Sequence, residues 1–119
     1  MDLLIRKESG VMFAEVSAEE IVVYTAKDGL HLLGNVHYQG HDKLLIRKEH
    51  LCEPFFDLST GLAGEILQKF SNYRIRLAIW GDFSELTRPS IRDFMRESNR
   101  QGHVSFVDTR ELAVQALTA

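Results

Sequence analysis

The stretch "RIRLAIWG", Arg74 to Gly81, decides the fold. It begins with alternating polar and apolar residues and becomes continuously apolar, as is typical of a central strand covered on both faces. The segment before it predicts a helix, because its apolar residues recur at helical spacing: Leu62, Ala63, Ile66, Leu67 and Phe70. A helix followed by a buried strand is the repeating unit of an α/β domain.

The same alternation continues on both sides of this stretch. Downstream, "SIRDFMRESNR" predicts a helix, "VSFV" a strand, and Asp108 or Thr109 the cap of a last helix. Upstream lie a strand at Lys43 to Arg47 and a helix from Thr25 or Ala26 to Tyr38. We assign Leu30, Leu33 and His37 to the inward face of this helix, with Ala26 one turn earlier. Before that helix, two strands flank a turn at Ser9-Gly10. We therefore predict one α/β domain over residues 1–119, with a mixed, mostly parallel sheet of four to five strands and about four helices.

Composition narrows the functional class. The chain has 119 residues and a formal net charge of -3, so it lacks the basic balance of a nucleic-acid-binding domain. The single cysteine, Cys52, excludes an internal disulfide and a multi-cysteine zinc site, which suits a reducing cytoplasm. No apolar run approaches the roughly 20 residues of a membrane helix. We expect a soluble cytoplasmic protein that binds neither membrane nor nucleic acid.

Cofactor and catalytic motifs are missing from the sequence. There is no phosphate-binding loop or dinucleotide fingerprint, and the five histidines lack metal-ligand spacing. Only His103 follows Ser59, and it precedes a strand, which places it at the opposite sheet edge from a serine nucleophile. We therefore predict no cofactor, no metal and no catalytic residue.

The hexapeptide "LLIRKE" occurs twice, at Leu3 to Glu8 and at Leu44 to Glu49. Repeat architectures need several copies at a sustained period, and the sequences that follow the two copies are unrelated. We interpret them as two independent strands of similar pattern.

Polar residues follow the predicted strands where ligands of open α/β sheets bind, beyond the carboxyl ends. We predict a partner or ligand edge from Glu49, His50, Asp57, Gly61, Trp80, Asp82 and Phe83. If Trp80, Phe83 and the neighbouring Phe55 and Phe56 are exposed together, they form a patch suited to a partner protein.

Ser59 and Thr60 stand where the helix after this loop begins. One interpretation is an N-cap, since serine and threonine are favoured there. The other is a candidate phospho-acceptor, because a helix N-terminus favours anions and a phosphate adds nearly two negative charges.

Arg88, Arg92, Arg96 and Arg100 are each four residues apart, and on a helix they form one stripe. Arg88, Arg92 and Arg96 are candidate anion-binding residues. The alternative is a solvated face on which Asp93 and Glu97 pair with Arg96 and Arg100.

Three segments carry a resemblance to a known family: "GNVHYQG", "FFDLSTGLAGEILQKFSNYRIRLAIWGDFS" and "RDFMRESNRQGHVSFV". With them the chain resembles a family of small bacterial proteins known as a domain of unknown function (four-one-eight-zero). The likeness covers most of the chain and implies no activity.

More distantly, "STGL" between a buried strand and a helix resembles anti-sigma-factor antagonist (STAS) domains. Their loop reads Asp-Ser-(Ser/Thr)-Gly-Leu-Gly, and a partner kinase phosphorylates its serine. Ser59 matches that serine, while Leu58 replaces the preceding aspartate and Ala63 the second glycine. The resemblance implies a STAS-like architecture and a phosphorylated Ser59.

Two functions follow from these patterns. The first is a non-catalytic regulatory module that binds a partner protein, switched by phosphorylation at Ser59, and we also expect a homodimer with no interface residues assigned. The second is a small-molecule-binding protein or small enzyme that uses the cleft at the strand ends. Exposed aromatics would favour the first, and a concave pocket of converging polar groups the second.

Overall fold

Five strands form one mixed sheet, and four helices pack against it. The computed structural model describes residues 1–119. The elements are β1 (Asp2–Glu8), β2 (Val11–Ser17), α1 (Ala26–Tyr38), β3 (Lys43–Arg47), α2 (Leu62–Asn72), β4 (Arg76–Trp80), α3 (Pro89–Gln101), β5 (Val104–Val107) and α4 (Arg110–Thr118). The predicted α/β class, the mostly parallel sheet and the number of helices are confirmed.

The strands lie side by side in chain order, β1-β2-β3-β4-β5. β1 and β2 form the antiparallel hairpin, and its two-residue loop has Ser9 at φ 50° and Gly10 at φ 78°. Two positive φ values in such a loop match the twist of the flanking strands. β2, β3, β4 and β5 run parallel, so their carboxyl ends share one rim of the sheet.

The helices divide unequally between the two faces of the sheet. α1, α2 and α3 cover one face and enclose the larger core, whereas α4 alone covers part of the other. The smaller core consists of Phe13, Leu45, Ala78, Ala113 and Leu117. The middle residues of β3 and β4 are therefore buried on both sides, as the continuous apolar run predicted.

The predicted inward face of α1 is partly wrong. Leu33 is buried, but Leu30 is 38% exposed and His37 lies on the surface. The buried residues are instead Gly29, Leu32, Leu33 and Val36. Because Gly29 has no side chain, α2 packs closely against α1 at this position. The buried face of α1 therefore contains Gly29 and not Leu30. The Thr25 cap is confirmed, since Thr25 Oγ1 accepts from the Asp28 N–H at 3.1 Å.

Strand order decides where a site can form. In a sheet whose strand order reverses, neighbouring crossovers lie on opposite faces and leave a crevice at the reversal. Here the order is sequential and the three crossover helices share a face, so no such crevice exists. Any concave site at the carboxyl rim must be built by the loops that follow the strands.

Candidate functional site: the loops at the carboxyl rim

The segment between β3 and α2 is built from three consecutive 3₁₀ turns, at Lys48–His50, Glu53–Phe56 and Leu58–Thr60. Buried Phe55 and Phe56 anchor it to the larger core, at 1% and 7% exposure. Because these rings are fixed, the exposed turn that follows them has a defined position on the rim.

His50 is structural, so its assignment to the ligand edge is wrong. It is 2% exposed. Its Nδ1 accepts from the Arg47 N–H at 3.2 Å, and its Nε2 lies 3.0 Å from the carbonyl oxygen of Ala18. Burial lowers the pKa of His50, which favours the neutral ring that this pair of bonds requires. Both ring nitrogens are thus occupied, and the ring ties the end of β3 to the segment after β2.

Ser59 lies exposed on the third turn, with its side chain bonded to Asp57. Its hydroxyl donates to Asp57 Oδ1 at 2.7 Å, and its N–H donates to the same oxygen at 3.0 Å. These hydrogen bonds, the hydroxyl's first, lower the pKa of Asp57. Asp57 is therefore the side chain that caps this turn, and Ser59 is an exposed residue at the rim.

Thr60 bonds the start of α2, although it is not the N-cap. Its Oγ1 accepts from the Leu62 N–H at 3.2 Å and lies 2.8 Å and 2.9 Å from the carbonyl oxygens of Pro54 and Asp57. The N-cap position belongs to Gly61, at φ 76°, a conformation that glycine adopts without steric cost. The N-cap prediction for Ser59 or Thr60 is therefore wrong, because the 3₁₀ turn delays the helix.

A cleft separates this turn from the loop that follows β4. We call it the rim cleft; its volume is about 440 Å³, and its polar lining is Glu53, Asp57, Thr60, Glu85, Thr87 and Arg88. Across it, Arg88 Nη1 lies 3.8 Å from Asp57 Oδ1. Both side chains are exposed, so this pair contributes little stability. The pair nevertheless places a cation in the lining of the cleft, next to the carboxylate that Ser59 bonds.

Asp82 and Phe83 of the predicted edge line a second hollow, and Glu49 is exposed and lines neither that hollow nor the rim cleft. Asp82 accepts from the Ser84 N–H at 2.9 Å, and hydrogen bonding to Ser84 lowers the pKa of Asp82. Its backbone carbonyl accepts from Lys48 Nζ at 2.7 Å. Asp82 lines a separate hollow that includes Arg92 and Asp108. The predicted edge is thus divided into two hollows, and Asp57 and Asp82 do not line the same one.

The aromatic residues do not form an exposed patch. Phe83 is 8% exposed and packs against Phe56 and Phe106, with ring centroids 6.0 Å and 5.9 Å apart. Trp80 is half-buried on the opposite face, against the smaller core beneath α4. The condition for a shared aromatic surface is therefore not met, because Phe55, Phe56 and Phe83 pack in the larger core while Trp80 packs against the smaller one.

The arginine stripe is mostly neutralised. Arg88 is the N-cap residue of α3 and faces Asp57, while Arg96 Nη1 lies 2.8 Å from Asp93 Oδ1. Arg100 bonds Glu97 through Nε at 3.0 Å. The mixed-charge interpretation is confirmed for Arg96 and Arg100, and Arg92 is left beside Asp82 and Asp108.

Sequence reasoning did not assign Glu85 or Thr87 to the site, and it assigned Arg88 to the helix stripe rather than to the second wall of the rim cleft. The signal was present, because the "DFSELTRPS" loop follows β4 at the same rim as the loop after β3. Side-chain directions in two irregular loops do not follow from periodicity, so only the rim could be predicted and not the cleft.

Residues 8–117 match the sequence model of a family described as "Domain of unknown function (DUF4180)". The chain belongs to this family. The match covers every element except most of β1 and the last residue of α4. No curated protein and no solved structure matches the chain. None of the helices is long and apolar enough to span a membrane.

Proposed function

We propose that this protein is a non-catalytic, STAS-like regulatory module that binds a partner protein at the rim cleft and is switched by phosphorylation of Ser59. The supporting observation is the position of Ser59, exposed at the rim with its Oγ 2.7 Å from the Asp57 carboxylate. A kinase needs an accessible hydroxyl, and a switch needs a neighbour that responds to charge.

Phosphorylation would invert the interaction between Ser59 and Asp57. The modified oxygen no longer carries a proton to donate, and the phosphate brings nearly two negative charges beside the carboxylate. Like charges at this distance repel, and Arg88, 3.8 Å from Asp57, is the nearby cation that a phosphate would attract. Since Asp57 and Arg88 both line the rim cleft, the modification would change its shape and charge.

The test is a quantitative affinity capture from the native cell with wild type, Ser59→Ala, Ser59→Asp and Ser71→Asp. Ser71 is an exposed serine near the other end of α2, so its variant controls for added charge alone. We expect one partner held by wild type, Ser59→Ala and Ser71→Asp and reduced by roughly tenfold with Ser59→Asp, a change of about 1.4 kcal/mol. Equal capture by all four proteins contradicts the switch, and phosphopeptide mapping of Ser59 provides an independent check.

A small-molecule site in the same cleft is the second candidate. The volume of the rim cleft falls within the roughly 300–1,000 Å³ of ligand pockets, and several polar groups converge there. The aromatic side chains that would form a contact surface for a partner protein are instead mostly buried. The residues expected of an enzyme are not assembled, since His50 is buried and Asp82 lines another hollow. Binding is therefore better supported than catalysis.

Thermal-shift screening of small anions separates this candidate from the first. A ligand of the rim cleft should raise the melting temperature of wild type and lose that effect in Arg88→Gln. Arg74→Gln, a variant of an exposed arginine away from the cleft, should respond as wild type does. A shift that persists in Arg88→Gln would place the ligand elsewhere.

A further inference from the structure

The repeated hexapeptide occupies two different environments in the same sheet. In β3, its Leu44, Leu45 and Ile46 are 0%, 0% and 2% exposed. In β1, the corresponding Leu4 and Ile5 are 37% and 40% exposed. β3 has a strand on each side, whereas β1 is paired only with β2. The edge strand thus carries a sequence that elsewhere in this protein forms an interior strand.

The backbone groups at the two edges of the sheet differ in whether side chains already bond them. At β5, the side chain of Asn99 from α3 donates to the Phe106 carbonyl oxygen at 3.0 Å and accepts from the Phe106 N–H at 2.6 Å. Ser98 Oγ donates to the Val104 carbonyl oxygen at 2.6 Å. These side chains occupy backbone groups that another strand would need. No element of the fold covers β1, which has seven residues and three apolar side chains in succession.

Symmetry restricts how a second copy could pair with β1. Antiparallel pairing of two identical edges uses a twofold axis perpendicular to the sheet, which keeps each face on the same side. Residues that lie opposite one another in the two β1 strands must point to the same face of the sheet. The residue at the twofold axis is therefore paired with the same residue of the other copy. Centring on Ile5 would set Asp2 opposite Glu8, two like charges that disfavour the register.

Centring on Leu4 gives complementary pairs from Asp2 to Arg6. Leu4 then meets Leu4 of the other copy, Leu3 meets Ile5, and Asp2 meets Arg6. Arg6 already donates through Nε to Glu15 at 3.0 Å, and its terminal nitrogens are available to a second carboxylate. We propose that two copies of this chain join through antiparallel β1 strands in the Leu4-centred register, making one continuous ten-stranded sheet.

Analytical ultracentrifugation over a concentration series tests the interface. Wild type should form a dimer, and Leu4→Lys should raise its dissociation constant by roughly tenfold or more, because the substituted ammonium groups would lie opposite one another. Leu30→Lys is the matched control, since Leu30 is 38% exposed against 37% for Leu4 and lies on α1. A wild type that is monomeric throughout, or a Leu4→Lys dimer as strong as wild type, overturns the proposal. Circular dichroism confirms that both variants are folded.

Cysteine cross-linking tests the register. The native Cys52 is buried and does not compete. Opposite Cα atoms of antiparallel strands are about 4.5–5.5 Å apart, within the span of a disulfide. Leu4→Cys should therefore form a covalent dimer under mild oxidation. Lys7→Cys should not, because the two substituted residues of the dimer would be far apart.

Two outcomes would contradict the proposal. Efficient cross-linking of Ile5→Cys but not of Leu4→Cys overturns the Leu4-centred register, and the absence of cross-linking in both variants overturns the interface. Neither experiment involves Ser59, so a negative result for the dimer is distinct from a negative result for the proposed switch.

Discussion

At the scale of single residues, His50 couples stability to pH. Its Nδ1 accepts a backbone N–H, so the ring cannot be protonated there without losing the bond to Arg47. The folded pKa is lowered by burial, and the unfolded state therefore binds the proton first as the pH falls. We expect the free energy of unfolding to decrease as the pH drops below about 6.5, measured by urea denaturation at several pH values.

Two variants separate this effect from general acid sensitivity. His50→Asn should lose most of the dependence near pH 6, whereas His31→Asn, which changes an exposed histidine, should keep it. His50→Ala should cost about 2–4 kcal/mol, through a cavity and an unpaired backbone N–H. An unchanged pH slope in His50→Asn would show that another group is responsible.

The hydrogen bond from the Ser59 hydroxyl lowers the pKa of Asp57 in the unmodified protein. Ser59→Ala removes the hydroxyl that bonds Asp57 Oδ1 at 2.7 Å, so the pKa of Asp57 should rise toward its ordinary value. Carboxyl titration by NMR measures this shift. Ser84→Ala is the control, since it should affect Asp82 and leave Asp57 unchanged. No change at Asp57 in Ser59→Ala would mean that the backbone bond alone holds its ionised state.

At the scale of elements, two glycines of α1 have opposite roles. A Cβ on Gly29 would lie 2.8 Å from Ile66 of α2, whereas a Cβ on Gly34 would meet nothing within 4 Å. Gly29→Ala should therefore destabilise the protein by about 1–3 kcal/mol, by forcing the two helices apart. Gly34→Ala should stabilise it by about 0.5–1 kcal/mol, through helix propensity. Thermal unfolding of both variants checks the pair, and equal effects would contradict the close α1–α2 contact.

The same two helices show what the sequence could and could not predict. Apolar periodicity located α2 and β4 because their burial is dictated by their own residues. The buried face of α1 depended on Gly29, which carries no hydropathy signal and matters only because Ile66 lies against it. The rim was likewise predictable from strand polarity, whereas the rim cleft depended on three 3₁₀ turns and on the side chain of Arg88.

At the scale of the whole molecule, one carboxylate links three elements. Glu15 of β2 accepts from Arg110 of α4 at 2.8 Å and 2.9 Å, and from Arg6 of β1 at 3.0 Å. Its side chain is 13% exposed, and the hydrogen bonds from Arg110 are the main cause of its lowered pKa. The lone helix on the second face and the open edge strand are therefore both held to β2, which fixes the position of β1.

In the proposed β1–β1 dimer, the difference between the two edges would limit the size of the assembly. A β1–β1 contact is self-complementary and closes at two copies, whereas a β1–β5 contact would be head-to-tail and could continue without limit. Asn99 prevents the second contact by bonding both backbone groups of Phe106. Asn99→Ala should therefore cost about 1–3 kcal/mol, accelerate amide exchange at Phe106, and populate species larger than a dimer.

Two further variants show whether the larger species grow through these edges. Asn99→Asp keeps the acceptor for the Phe106 N–H and should remain closer to wild type than Asn99→Ala, both in exchange and in sedimentation. Adding Leu4→Lys to Asn99→Ala should reduce the larger species, since growth needs β1 as the other half of the contact. Larger species that persist in the double variant would mean that they grow through some other surface, and the closed edge at β5 would then be unrelated to assembly.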